Sequence, residues 1–136
     1  MRERNRILLC ESAHELEPLL AAELENRGYR LLVTANPRAV VLLAREHSPV
    51  LIIIGHENPL PVCHEIKMNP ALYEIPVFVV GHEANRDEEL RFLANEFFTA
   101  PLNPRLLLDT LARYRERSSR NCAQIRAPLS CGTTPA

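Results

Sequence analysis

The sequence predicts a single doubly wound α/β domain, on three observations. Strand-sized apolar runs alternate with segments of helical period five times along the chain. Two central runs, residues 50–54 and 76–80, are apolar throughout and rich in β-branched side chains, as strands buried on both faces of a parallel sheet must be. The junctions from run to helix carry capping signals such as Asn36-Pro37 and Asn103-Pro104. With 136 residues there is room for one domain and one sizeable core.

The elements follow in order. The first strand, Arg6 to Cys10, passes into a helix in which Leu16, Leu19, Leu20 and Leu24 recur at helical spacing. Ser12 and Glu15 have the spacing of a capping box at its start, Pro18 falls in its first turns, and Gly28 is placed to end it in a left-handed conformation. Residues 29–34 read as the second strand and residues 39–45 as the second helix, which the pair Ser48-Pro49 breaks. The third strand ends at Gly55, and a short helix over residues 62–68 follows. The fourth strand ends at Val80. Asn85 and Glu88 then open a helix through Leu90 and Ala94, and residues 97–99 form a short fifth strand. In the last helix Leu107, Leu108, Leu111 and Tyr114 lie near one face. Periodicity stops near Ser118, so residues 1–117 are expected to form the domain and 118–136 a polar, poorly ordered tail. Right-handed crossovers would cover both sides of the sheet with helices and leave ligands and chemistry to the carboxyl ends of the strands.

Composition narrows the function. A net charge of -1 and no Trp give no electrostatic or stacking case for nucleic acid, and no apolar run has the length of a membrane span. The charged N-terminus leads into too short an apolar stretch for a signal peptide, which makes the cytoplasm the expected compartment. Cys10, Cys63, Cys122 and Cys131 show no C-x-x-C spacing and read as free thiols. The dispersed glycines make no phosphate loop, and no Gly-x-Ser-x-Gly elbow surrounds Ser12, so an enzyme is not expected.

Three stretches carry a resemblance: residues 48–54, residues 75–80, and residues 94–104 with Pro101; Pro59, four residues past the third strand, adds to it. They resemble the receiver domain of bacterial two-component response regulators, from about Arg6 to Arg117. The resemblance implies a flavodoxin-like (βα)5 sandwich, with a five-stranded parallel sheet in the order 2-1-3-4-5. It also implies a phosphotransfer site, in which an acidic pair after the first strand holds Mg²⁺ and an aspartate ending the third strand accepts the phosphoryl group. A Thr or Ser ending the fourth strand and a Lys before the fifth-strand proline bind its oxygens. Here those positions read Glu11-Ser12, Gly55, Gly81 and Ala100. Only Glu11 could keep its role. Losses on three strand ends, with Pro59 and Pro101 in place, are not a slip of register.

The resulting expectation is a pseudo-receiver that is not phosphorylated, needs no Mg²⁺ or other cofactor, and acts as a protein–protein interaction module in phosphorelay signalling. Its partner would be another signalling protein or a second copy, held by the face that the fourth helix, fifth strand and last helix build in such domains. Phe97 occupies the switch-aromatic position there and is expected to stay inside. Phe92 lies about 200° from Leu90 at about 100° per residue; it and Leu106 fall off the core stripes and are candidate interface residues. The alternative is a divergent receiver controlled by a small ligand or a divalent metal at the carboxyl edge, where Glu11, His56, Glu57, His82 and Glu83 could converge. An unrelated flavodoxin-like enzyme is a third reading.

Overall fold

The computed structural model describes residues 5–12, 15–55, 58–81, 93–99 and 102–126. Five parallel strands, β1 (Arg6–Cys10), β2 (Arg30–Thr34), β3 (Leu51–Ile54), β4 (Val77–Gly81) and β5 (Glu96–Thr99), form one sheet in the order β2-β1-β3-β4-β5. The helices between them are α1 (Leu16–Asn26), α2 (Val40–His47, entered through a short 3₁₀ turn at Pro37–Ala39) and α3 (Leu60–Lys67). This is the doubly wound fold expected. Most of the helix expected between β4 and β5 lies outside the described residues, and its end, Leu93 and Ala94, packs against the core.

The strand order fixes the layers. α1 joins β1 to β2 in one direction across the sheet, while α2 joins β2 to β3 in the other, stepping over β1. Right-handed crossovers then require α1 on one face and α2 and α3 on the opposite face. The side chains obey this. Leu8, Cys10, Ile52, Ile54, Val77 and Val79, alternate residues of three strands, pack with Val40 and Ala44 of α2 and Val62, Cys63 and Ile66 of α3. The other parity (Ile7, Leu9, Leu51, Ile53, Phe78) is equally buried, and Leu16, Leu20 and Leu24 form the buried stripe of α1. Every residue of β3 is fully buried. Each such aliphatic side chain contributes about 1.5–3 kcal/mol by leaving water, which is why the central strand carries no polar residue before Gly55.

The ends of α1 and α2 follow their residues with one exception. Gly28 takes φ +81 just past α1, and Ser48 takes φ +48 to stop α2 before Pro49. Asn36 caps the 3₁₀ turn through Oδ1, which accepts from the Arg38 amide at 3.0 Å. The exception is α1, whose N-cap is Glu15 rather than Ser12. Pro18 is thereby the third helical residue, where its missing N–H costs nothing.

A second compact unit begins at Arg105 and is described by itself. Its helix, Pro104–Arg126, runs past Ser118, where the tail was expected. No Gly or Pro interrupts residues 105–126, so nothing in the local sequence stops the helix where its apolar stripe ends. Leu107, Leu108 and Leu111 are buried and Leu106 is exposed, as the stripe predicts.

Candidate functional site: the carboxyl edge of the sheet

Glu11 follows β1 directly, and its amide continues the ladder by donating to the Thr34 carbonyl at 3.0 Å. Its side chain is buried, with 1 % exposure, and turns toward the start of α1. Oε1 accepts from the amides of Glu15 at 3.0 Å and Leu16 at 2.9 Å; Oε2 accepts from Leu16 at 3.1 Å and Glu17 at 2.8 Å. These are the opening N–H groups of a helix, which have no partner within it and carry the positive end of its dipole. The acidic residue thus does the capping expected of Ser12, from one position earlier, while Ser12 itself is exposed. Charge-assisted bonds from several amides at once hold the carboxylate where a hydroxyl would supply a single acceptor.

Gly55 ends β3 beside it. Its N–H donates to the Cys10 carbonyl at 2.7 Å, locking the β3 terminus to β1. A Cβ built on Gly55 would lie 2.6 Å from Leu16 Cδ1 and 3.6 Å from Glu11 Cβ. No side chain fits there unless Leu16 moves, and Leu16 is itself buried by the α1 packing. At the position that the resemblance aligns with an acceptor, a terminal methyl of Leu16 overlaps the place of a Cβ.

This arrangement does not suit Mg²⁺. The ion needs oxygen ligands in near-octahedral geometry. Both Glu11 oxygens are engaged by backbone amides, Ser12 offers a hydroxyl in place of a carboxylate, and Gly55 offers no side chain. The role that Glu11 alone could have kept is taken by the helix.

Gly81, the last residue of β4, is partly exposed and pairs with Thr99. Ala100, His56, Glu57, His82, Glu83 and Phe92 lie outside the described residues. Among the described residues no group of three or more His, Cys, Asp or Glu is placed to hold a metal. Phe97 is half-buried against the core on the α2–α3 side, and its neighbour Phe98 is the more deeply buried ring, 5.5 Å from Phe78 between centroids. Burial pushes the Cys10 thiol up to about 11, with the Glu11 charge adding to it, and the Cys63 thiol up to about 12. Neither is a nucleophile at neutral pH.

Lys67 and Asn95 were not singled out in the sequence. Lys67 Nζ donates to the Tyr73 and Ile75 carbonyls at 3.2 and 3.1 Å and to Asn95 Oδ1 at 2.9 Å. The same Oδ1 accepts from the Val77 amide at 2.8 Å. The two residues are 28 apart in sequence, so no local pattern marks the pair. Together they tie the end of α3 to the starts of β4 and β5, at the amino edge of the sheet.

No protein-family model matches the chain. In sequence it is similar to the phosphate regulon transcriptional regulatory protein PhoB of Pseudomonas aeruginosa, 23% identical over 93% of this chain and 57% of that protein. The chain spans about half the length of the curated relatives it matches. In structure it is similar to the signal receiver domain of a signal transduction histidine kinase from Syntrophus aciditrophicus. That similarity has a TM-score of 0.69 and 27% identity, covering 80% of this chain and 88% of that one. It also resembles the receiver domain of the sensor histidine kinase PA1611 from Pseudomonas aeruginosa, which holds a magnesium ion in its active-site cleft. There the TM-score is 0.70 and the identity 20%, over 82% of this chain and 97% of that one. The chain has the receiver fold, and these similarities support a receiver-type role in signal transduction. Among the described residues no helix is long and apolar enough to cross a membrane.

Proposed function

We propose that this chain is a phosphorylation-independent pseudo-receiver, a protein–protein interaction module of two-component signalling that uses neither Mg²⁺ nor a phosphoryl group. One observation carries the reading: the acceptor position is Gly55, which has no side chain, and a Cβ there would lie 2.6 Å from Leu16 Cδ1. The Glu11 carboxylate supports it, since the helix amides take both oxygens that would otherwise face a metal. A domain built this way binds and does not turn over substrate.

The partner is another signalling protein or a second copy, and on this chain's side the contact uses the last helix. Leu106, 52% exposed, supports this as an apolar contact on the last helix.

The test is incubation with small phosphodonors in the presence of Mg²⁺, read by intact mass. The expected result is an unmodified chain. A stable phosphoryl adduct mapped to residues 55–57 overturns the reading. On the partner side, a Leu106→Ser chain that captures its partner as well as the wild type removes the last helix from the proposal.

A further inference from the structure

α1 is an acidic helix, whereas α2 and α3 on the opposite face are each balanced in charge, Arg45 by Glu46 and Lys67 by Glu65. α1 has Glu17, Glu23 and Glu25, follows Glu15, and contains no Lys or Arg between Leu16 and Asn26. Leu19 is 46% exposed with the exposed Glu15 about one turn before it on the same side, and the exposed Glu25 lies about 120° around the helix from Leu19 at about 100° per residue. Across the sheet, Arg38, Leu42 and Arg45 recur at the i, i+4, i+7 spacing of one helical face, and all three are exposed, Leu42 by 58%.

Beside that face runs a groove. Its α2 wall is Arg38, Val41 and Arg45, and its α3 wall is Pro61, Glu65 and Met68, the last 63% exposed. Two adjoining hollows share Arg38 and Glu65, so the groove is continuous over both helices. Arg38 and Arg45 stand about 10 Å apart at about 1.5 Å per residue, inside the length of about 16 Å that α1 spans. The walls carry two guanidinium groups against one carboxylate. Among the described residues, the side chains of Glu15, Glu25, Arg38 and Arg45 have no hydrogen-bond or ion-pair partner.

We propose that the α2–α3 groove receives α1 of a second copy of this chain. Leu19 then lies against Leu42 and Met68, with the α1 glutamates facing Arg38 and Arg45. Because α1 and the groove are on opposite faces of one sheet, the contact cannot close within a single molecule. It is heterologous, and each copy offers both halves. An acidic helix on a basic, partly apolar groove gains on-rate and register from charge and affinity from the covered leucines. The contact does not depend on whether the chain is phosphorylated.

The experiment is sedimentation velocity of the full chain over a wide concentration range at low and high salt. Three variants are compared with the wild type: Arg38→Glu/Arg45→Glu, Glu15→Arg/Glu25→Arg, and Leu42→Ser. All change exposed side chains, and thermal melts establish that each is folded. Self-association of the wild type should weaken with salt and fall by roughly tenfold or more in each charge-reversed chain. Leu42→Ser should weaken it at both salts. Mixing the two charge-reversed chains should restore assembly, because each then meets the opposite charge on the other. A wild type that stays monomeric throughout at low salt overturns the proposal. So does association that survives Arg38→Glu/Arg45→Glu unchanged, or a mixture that remains monomeric.

Discussion

At the carboxyl edge of the sheet a carboxylate is withdrawn from water, and at the amino edge an ammonium is. Glu11 is fully buried, and its charge is met by the amides opening α1. Lys67 is half-buried, and its charge is met by carbonyls around the end of α3 and by the Asn95 amide oxygen. Neither charge is answered by an opposite charge among the described residues; oriented dipoles stabilise both. The difference is depth. Glu11 has given up its water almost entirely, so its removal strands the buried Leu16 amide and the part-buried amides on either side of it, while the carbonyls around Lys67 can turn to solvent. The edge that resembles a reactive site is therefore the more rigidly structural of the two.

The largest expected effect breaks the Glu11 side. Glu11→Ala leaves three amides without an acceptor and should lower unfolding free energy by about 2–4 kcal/mol. Glu11→Gln keeps one acceptor oxygen but turns an NH₂ donor toward the same amides, and should cost less than Glu11→Ala. Urea unfolding measures both, and an Ala variant as stable as the wild type would show that the cap carries no energy.

The next effect sharpens the contact between Leu16 and the place of a Gly55 Cβ. Gly55→Asp drives a Cβ toward Leu16 Cδ1 and sets a second carboxylate near Glu11, a change of about 1–3 kcal/mol against folding. Leu16→Ala alone also destabilises, by opening a cavity. Combined, the two should be less harmful than their sum by about 1 kcal/mol, since each relieves the other. Strict additivity in the double-mutant cycle would separate Leu16 from Gly55.

The smallest effect is at Lys67. Lys67→Met should cost about 0.5–1.5 kcal/mol at neutral pH through lost hydrogen bonds. Burial lowers the Lys67 ammonium below its ordinary value of 10.5. The unfolded chain then keeps that proton to a higher pH than the folded one. Wild-type stability should thus rise relative to Lys67→Met as pH climbs through the folded-state value toward 10.5, and stay level below it. Paired denaturation curves in that window read the difference, and a gap that narrows instead would contradict the burial of the amine.

Much of this was legible along the chain. The strands and α2 follow from apolar runs and from Asn36-Pro37 and Ser48-Pro49, signals that act within a few residues. The loss at Gly55 was legible because a glycine has no side chain wherever it sits, and Leu106 was placed outside the stripe by helical period alone. The start of α1 was misread because Ser12 and Glu15 satisfy a local capping rule, which a better acceptor outbids once β1 places Glu11 beneath the helix. The Lys67–Asn95 tie left no mark because its partners meet only when β4 and β5 pair.

The sequence by itself determined which residue types stand at the strand ends, and the order of strands and helices, since that depends on local period and caps. Only the tertiary structure decided what surrounds Gly55. Whether Leu16 overlaps the place of a Gly55 Cβ and whether Glu11 faces the start of a helix are questions of distance between separate elements. Those distances are set by the crossovers and the shared core, which no short stretch of residues encodes alone.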